Sequence, residues 1–232
     1  EAFAIEETAT GEFQLISESA KEPTWVQAVV TSTITTDFKE YYQVTMHDIS
    51  KRKQQIELLD RKANYDQLTQ LYNRHAAEKH INMMIDQNEA FALILLDLNG
   101  FKPINDIYGH DSGDEILIHV TGQLTKALRK HDLLSRWGGD EFVIILPGVN
   151  QFDVEKICLK LKEQISKPHF LNQHEKSVSV SASMGVSFYP NDKATMQELV
   201  KSADIAMYEA KKFKSINSDH YLSFFDRMQP KA

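Results

Sequence analysis

The most constraining feature of the sequence is the glycine pair Gly138-Gly139, which lies in the stretch RWGGDEFVIILP. It separates two runs of β-compatible residues, Leu133–Trp137 and Asp140–Leu146, and this arrangement predicts a hairpin with a two-residue turn. Glycines in such a turn can take positive φ and, having no side chains, let a large ligand approach the backbone. The hairpin therefore presents two carboxylates, Asp140 and Glu141, where a ligand can reach them.

Size and composition are those of a globular protein. The 232 residues are enough for one ordinary domain and part of another. With 42% hydrophobic and 25% charged residues, the chain is neither disordered nor fibrous in type. The formal net charge of −7 argues against a nucleic acid as partner, but it is compatible with a local basic pocket for a phosphorylated ligand.

Three features bear on the cellular location. The single cysteine, Cys158, excludes an internal disulfide, fits a reducing compartment and lies at a helical spacing typical of a core residue. The longest purely apolar run, Phe91–Leu96, is far too short to span a membrane. The chain begins with Glu-Ala-Phe and has neither Met nor a signal-like segment there, which suggests a fragment of a longer protein. We expect a cytoplasmic location and no membrane contact within this fragment, whether or not the parent protein is anchored to a membrane.

Apolar spacing alternates between helical and strand-like in the second part of the chain. Helical spacing covers Arg74–Gln87, Asp111–Arg129, Val154–Ile165 and Met196–Lys212, and strand patterns cover Phe91–Leu96 and Ser177–Phe188. This alternation predicts an α/β (α+β) fold in which helices flank a sheet.

Residues 1–49 have strand-like patterning, with alternating apolar residues around Phe13, in Trp25–Ile34 and in Tyr42–Met46. A turn is predicted at Thr35–Glu40. The order of strands and the ending HDISKRK resemble the C-terminal half of a PAS sensor domain. An unrelated small β-sheet is the alternative interpretation.

Residues 50–64 contain no Gly or Pro and many helix formers, which predicts a linker helix. Ile49, Ile56 and Ala63 are seven residues apart, with Leu59 at the intervening position of the heptad. This short seam is adequate to transmit orientation between domains that pair elsewhere. A solvated connector helix is the alternative.

The stretch DQLTQLYNR, Asp66–Arg74, resembles the opening signature D-x-L-T-x-L-x-N-R of the GGDEF family, and RWGGDEF resembles the hairpin that gives the family its name. The resemblance implies a diguanylate cyclase, which joins two GTP molecules into cyclic di-GMP and releases pyrophosphate. It also implies a cyclase or polymerase-palm type of sandwich with a central sheet of about five strands. The domain boundary is predicted near Asn64, so that the cyclase domain covers residues 65–232.

A second informative stretch, DLNGFKPIND, follows directly after a predicted buried strand. Its first residue, Asp97, would stand at the rim of the sheet, where ligands of α/β folds tend to bind. Placed opposite the glycine hairpin, Asp97 and Asp140 could together hold a hard cation, and magnesium prefers such oxygen ligands.

The family resemblance assigns roles to individual residues of these two stretches. It implies a Mg²⁺ (or Mn²⁺) ion on Asp97, the Leu98 carbonyl and Asp140, and we count Glu141 as a further candidate ligand. It implies contacts to the GTP substrate from Gly100, Phe101, Lys102, Asn105, His110, Asp114, Gly138, Gly139 and Lys211. Of these, Asn105 and Asp114 resemble the pair that reads guanine, because a carboxylate accepts from N1 and N2 of guanine whereas adenine lacks that donor pair. Asn99 departs from the Asp often found in the motif.

The implied reaction is attack of the 3′-hydroxyl of one GTP on the α-phosphate of the other, performed twice. Metal ions would activate the hydroxyl, and Lys102 would stabilise the transition state. Glu141 is the first choice for the general base, with Asp140 as the alternative, because neighbours in a regular strand face opposite sides. One site holds one GTP, so that the chemistry requires a homodimer.

Three further stretches resemble family features. Arg129 and Asp132 form an R-x-x-D pattern that is separated from Gly138 by the five residues Leu133–Trp137, which implies an inhibitory site for the product cyclic di-GMP; an ordinary charged helix end is the alternative. Lys211 ends ADIAMYEAK, but the G-R-N that usually follows is not kept in KSIN, which predicts weaker triphosphate binding. The tail YLSFFDRMQ resembles the junction to an EAL phosphodiesterase domain.

The leading prediction is thus an active diguanylate cyclase. The alternatives are a non-catalytic module that binds GTP or cyclic di-GMP and regulates a neighbouring domain, and a sensory dimerisation fragment. The acids and glycines of the GGDEF turn, which degenerate members usually lose, are all present.

Overall fold

The structure is a computed structural model that describes residues 6–16, 23–34, 40–214 and 220–226. The chain divides into two compact units, Glu1–Lys62 and Ala63–Ala232. Among the described residues, no helix is both long and apolar enough to cross a bilayer.

The first unit contains a three-stranded antiparallel sheet. Its strands are β1 (Glu6–Leu15), β2 (Thr24–Ile34) and β3 (Glu40–Asp48), with β2 in the centre. The three predicted strand regions are therefore confirmed as one sheet. The predicted turn at 35–40 lies almost wholly outside the described residues, and the assignment of this sheet to a PAS domain stays a prediction.

Helix α1 (Ser50–Asn64) follows this sheet as predicted, and local contacts fix its first turn. The Asp48 carboxylate accepts from the Ser50 amide at 2.8 Å, and the Lys53 ammonium lies 2.6 Å from Glu12. Ile49, which follows β3, is buried and its amide donates to the Trp25 carbonyl of β2. It is therefore held against the sheet, and the prediction that it belongs to the heptad seam was wrong. Ile56 is 52% exposed and remains on the helix surface.

The second unit is built on a five-stranded sheet of order β10-β9-β4-β6-β5, which confirms the predicted sandwich. Its strands are β4 (Phe91–Asn99), β5 (Leu133–Gly138), β6 (Glu141–Pro147), β9 (Ser181–Tyr189) and β10 (Leu222–Phe224), and a small hairpin adds β7 (His169–Leu171) and β8 (Lys176–Val178). The helices are α2 (Arg74–Asp86), α3 (Phe101–Tyr108), α4 (His110–Ala127), α5 (Gln151–Ile165) and α6 (Met196–Lys214). Among the described strands of this sheet, β10 alone runs parallel to its neighbour.

Two hydrophobic cores lie on opposite faces of the sheet. Even-numbered residues of β4, such as Ile94 and Leu96, pack with α3, α4 and α5, whereas odd-numbered ones, such as Leu93 and Leu95, pack with α2 and α6. The alternation follows from the two-residue repeat of a strand. Cys158 is fully buried in the first core, as predicted, and this burial raises the pKa of its thiol.

The prediction was wrong or incomplete at three places. Helix α3 was not predicted, the single strand expected over Ser177–Phe188 is interrupted between Val178 and Ser181, and the tail supplies the edge strand β10. Helix α3 and strands β8 and β10 have eight residues or fewer, which is shorter than the window of about 11–18 residues over which apolar periodicity is read. Whether the tail also leads into an EAL domain stays a prediction.

A histidine pair joins α4 to β7. The ring centroids of His119 and His169 are 4.4 Å apart, and Nε2 of His169 lies 2.7 Å from Glu115 Oε1. Burial, followed by the charges of His169 and Lys126, lowers the pKa of His119. Its Nε2 atom is buried and finds no hydrogen-bond partner among the described residues.

We expect the substitution His119→Gln to make the stability less sensitive to acid. Because the pKa of His119 is lower in the folded than in the unfolded state, the unfolded state takes up the proton first as the pH falls through 6.5, and the folded state loses stability there. Gln does not titrate. The loss in urea midpoint between about pH 7.5 and pH 5.5 should be smaller than in the wild type. His75→Gln, which replaces an exposed histidine, is the control. A loss in urea midpoint for His119→Gln equal to that of the wild type would contradict the prediction.

Candidate active site

The predicted carboxylates meet at one end of the sheet. Asp97 on β4 lies directly opposite Glu141 on β6 and Ser183 on β9. Residues paired across antiparallel strands project from the same face, so Asp97 and Glu141 share the face that α2 and α6 cover. Asp97 lies opposite the hairpin, as predicted, but β4 continues beyond it to Asn99, so Asp97 lies within the strand and not after its end.

The hairpin turn differs by one residue from the prediction. Gly138 is the last residue of β5 and pairs with Glu141, so that Gly139 and Asp140 form the turn, with Gly139 at φ +54°. The register shifts between Arg136 and Gly138. Since Asp140 lies in the turn, it does not follow the strand alternation that would have pointed it away from Glu141. The irregularity lets both acids lie near Asp97.

Three acids at this end of the sheet influence one another. Burial raises the pKa of Asp97, the ion pair with Lys211 opposes this, and the charge of Asp140 adds to it. Burial also raises the pKa of Glu141, and the charges of Asp97, Asp140 and Asp204 act in the same direction. A concentration of negative charge that is partly shielded from water favours a bound cation.

The oxygens of these acids suit a hard cation such as Mg²⁺, which prefers oxygen ligands and usually keeps phosphate oxygens or water in its shell. Among the described residues, no three His, Cys, Asp or Glu side chains are arranged to hold a metal ion by themselves. The site predicted from Asp97, Leu98, Asp140 and Glu141 therefore stays a prediction. It fits a cation that a nucleotide helps to coordinate.

Asn99, which departs from the usual motif, has a structural partner. Its side-chain amide donates to the Ser183 hydroxyl at 3.0 Å. Because Ser183 lies opposite Asp97, this contact fixes the strand ends beside the acids. The amide thus serves a structural purpose next to the site.

The residues expected to bind phosphate lie at the start of α3. Gly100 has φ +85° and precedes the helix, Phe101 is buried in the core, and Lys102 is exposed in the first turn. A glycine in this position offers no side chain to cap the helix, so the first amides remain available to an anion. This arrangement supports the predicted contacts with a triphosphate.

The residues expected to read guanine come from two adjoining helices. Asn105 lies on α3, while His110 and Asp114 lie on α4, where both are exposed. Asn105 Oδ1 is buried and has no hydrogen-bond partner among the described residues. It rests against Gly113, where a Cβ would lie only 1.8 Å from Oδ1. Sequence reasoning missed Gly113, because its contribution is the space that it leaves for Asn105.

If Asn105 reads guanine as the family resemblance implies, Gly113→Ala should weaken GTP binding and reduce the preference for GTP over ATP by about tenfold or more, because the Asn105 amide must move. Calorimetric titration with non-hydrolysable GTP and ATP analogues would measure both effects. Gly122→Ala on the same helix is the matched control, since no atom lies within 4 Å of its added Cβ. Unchanged affinity in the Gly113 variant would contradict the role of Asn105.

Arg129 and Asp132 are brought together beside a cavity. Asp132 Oδ2 accepts from the Arg129 amide at 2.7 Å, and both residues line a cavity of about 340 Å³. The cavity is also lined by Tyr65 and Tyr72, which come after the linker helix in the chain. Their rings stack, with centroids 5.0 Å apart. Sequence reasoning did not identify the two tyrosines.

The turn after the linker helix is tied to the glycine hairpin through Arg136. The Asp66 carboxylate accepts from the Thr69 hydroxyl at 2.7 Å and from Arg136 Nη1 at 3.1 Å. Arg136 Nε donates to the Gly139 carbonyl at 3.0 Å. Burial opposes ionisation of Asp66, but its hydrogen bonds outweigh burial and lower its pKa. The D-x-L-T stretch therefore holds the active-site turn in place.

Comparison with known proteins gives consistent results. A family model described as "Diguanylate cyclase, GGDEF domain" matches residues 63–216. The bifunctional diguanylate cyclase/cyclic di-GMP phosphodiesterase MucR of Pseudomonas aeruginosa is 40% identical over 153 residues, which are 64% of this chain and 22% of MucR. Diguanylate cyclase DgcM of Escherichia coli K12 is 33% identical over 170 residues, which are 72% of this chain and 40% of DgcM. The chain thus spans less than half the length of these relatives.

Solved structures agree with the fold. The diguanylate cyclase SiaD of Pseudomonas aeruginosa, determined in complex with its activator SiaC, matches with a TM-score of 0.63 at 29% identity over 76% of this chain and 69% of that one. The GGDEF domain of PA1120 (YfiN or TpbB) of Pseudomonas aeruginosa matches with a TM-score of 0.61 at 31% identity over 67% of this chain and 98% of that one.

Proposed function

Since the chain belongs to the GGDEF family of diguanylate cyclases, we propose that it condenses two GTP molecules into cyclic di-GMP with release of pyrophosphate. The observation that carries the proposal is the meeting of Asp97 and Glu141 across β4 and β6, with Asp140 in the adjoining turn. Loss of an acid or a glycine here would favour a binding module, and neither is lost.

The residues at the sheet end divide into metal ligands and a base. Asp97, Asp140 and the Leu98 carbonyl would hold Mg²⁺ or Mn²⁺, which would lower the pKa of the attacking hydroxyl and neutralise phosphate charge. Glu141 accepts the proton. Burial, followed by the charge of Asp97, raises the pKa of Glu141 and makes its carboxylate a stronger base. Strand pairing fixes Glu141 on the face of Asp97, which favours it over Asp140 in the turn.

The other site residues orient GTP. The amides around Gly100 and Phe101 and the Lys102 ammonium bind the phosphates. Asn105 and Asp114 hold guanine through hydrogen bonds. A base that left these polar groups unpaired would bind far less well, which gives selectivity for GTP.

The reaction requires a homodimer, because each site holds one GTP and the two must face each other. Ile56 and Leu59, exposed on α1, are suited to pairing two linker helices. We assign residues 1–49 to a PAS-like sensor, 50–64 to the linker and 65–232 to the cyclase domain. Arg129 and Asp132 would bind cyclic di-GMP as an inhibitor in the cavity that they line.

The test is incubation of the protein with GTP and Mg²⁺, followed by mass analysis for cyclic di-GMP. Product that accumulates and then slows its own formation is expected. Binding of GTP or cyclic di-GMP without turnover would instead favour the non-catalytic module. Such an outcome would fit the missing arginine after Lys211, since a lysine provides a point charge in place of a planar fork.

A further inference from the structure

We infer that Lys211 is an internal counter-ion that occupies the cation position of Asp97 until metal and nucleotide arrive together. This inference rests on the proposed function, because it concerns the same site. It assigns Lys211 a second partner, a carboxylate, in addition to the phosphate that the family resemblance implies.

The contact itself is short and partly buried. Lys211 Nζ lies 2.8 Å from Asp97 Oδ1, and the Asp97 side chain is only 13% exposed. Asp140, Glu141 and Asp204 add negative charge around this pair. A buried carboxylate without a partner is costly, so the ammonium stabilises the site when no metal is bound.

The packing of α6 places Lys211 at this point. Ala203, Met207 and Lys211 are spaced by four residues and share one face of the helix. A Cβ on Gly185 of β9 would lie 2.0 Å from the Ala203 carbonyl oxygen and 2.2 Å from the Met207 amide, so the helix lies directly on the strand. Lys211 therefore approaches Asp97 from a helix that is fixed against the sheet.

Lys211 and a metal ion compete for the same carboxylate. Magnesium sits about 2.1 Å from its oxygen ligands, and a second cation on one carboxylate is repelled. A metal ion that binds without nucleotide must therefore displace Lys211 and break its ion pair with Asp97. When a triphosphate is present, the released ammonium gains a new anionic partner. Metal and nucleotide then strengthen each other's binding, and this coupling is reciprocal.

The test is a titration of the protein with Mn²⁺ in the absence of nucleotide. The electron paramagnetic resonance signal of free Mn²⁺ measures the binding. Lys211→Met should bind Mn²⁺ about tenfold more tightly than the wild type, because the competing ion pair is gone. Lys211→Arg, which keeps the charge, should bind as weakly as the wild type. Lys201→Met on the exposed side of α6 is the control and should leave the affinity unchanged. A non-hydrolysable GTP analogue should tighten Mn²⁺ binding more in the wild type than in Lys211→Met.

Equal or weaker Mn²⁺ binding in Lys211→Met would overturn the inference, as would the absence of Mn²⁺ binding from both proteins. The cyclase assay on the wild type is separate. A protein that forms no cyclic di-GMP, but whose Lys211→Met variant gains Mn²⁺ affinity, would refute the catalytic proposal and leave the counter-ion in place. A protein that forms cyclic di-GMP, but whose Lys211→Met variant gains no Mn²⁺ affinity, would refute the counter-ion role of Lys211 and leave the catalytic proposal in place.

Discussion

The substitution Glu141→Gln is expected to lower the rate of cyclic di-GMP formation by about 10²- to 10⁴-fold, the range that loss of a general base costs. The amide has nearly the same volume but cannot accept the proton of the attacking hydroxyl. The fold should remain intact, because burial and the charge of Asp97 already disfavour ionised Glu141. Initial rates measured by chromatography, together with urea unfolding, test both parts of this expectation.

The control for this variant is Glu163→Gln, which removes an exposed carboxylate from α5 and should leave the rate unchanged. Asp140→Asn separates the two candidate acids. If Asp140 is a metal ligand, its loss should be partly restored by higher Mn²⁺ concentration, whereas added metal should not rescue Glu141→Gln. A wild-type rate in Glu141→Gln would remove Glu141 from the mechanism.

The substitution Gly185→Ala is expected to destabilise the second unit by about 3 kcal/mol or more, which is at or above the usual cost of overpacking a core. The added Cβ would meet the backbone of α6 at 2.0 Å and 2.2 Å, at Ala203 and Met207. Backbone atoms cannot rotate away as a flexible side chain does, so α6 or β9 must shift. Urea unfolding at equilibrium would measure the loss.

Gly122→Ala is the matched control for this prediction too. It lies within α4 with no atom inside 4 Å of the added Cβ, so the better helix propensity of Ala should raise the free energy of unfolding by up to about 1 kcal/mol. Near-native stability of Gly185→Ala would contradict the close approach of α6 to β9. Folded Gly185→Ala protein should also lose the Lys211–Asp97 contact, since α6 carries Lys211.

Much of the fold could be predicted because it depends on local patterns. Arg74–Asp86 and Met196–Lys214 show helical spacing, and Phe91–Asn99 contains a long apolar run with a carboxylate near its end. These signals depend on neighbours in the sequence. Helix α3 and strand β10 have eight and three residues, fewer than the window of about 11–18 residues over which apolar periodicity identifies an element, although Phe101, Ile104 and Tyr108 of α3 are spaced helically.

The same distinction holds for the candidate site. Asp97 and the acids after the glycines could be found, because a strand end and a tight turn are both local features. Gly113 and Gly185 could not, because an absent side chain matters only when the atom that it would strike is known. The placement of the turn at Gly139 and Asp140 was also missed, since a bulge in the register of β5 with β6 decides it.

The sequence by itself determined the order of the longer helices and strands, the family, and which acids and lysines are available for chemistry. Only the tertiary structure decided that Lys211 pairs with Asp97, that Arg136 joins Asp66 to Gly139, and that Asn105 rests on Gly113. The physical reason is range. Periodicity and turn propensity act over a few residues, whereas ion pairs and close packing act between groups that the folded chain brings together from far apart in the sequence.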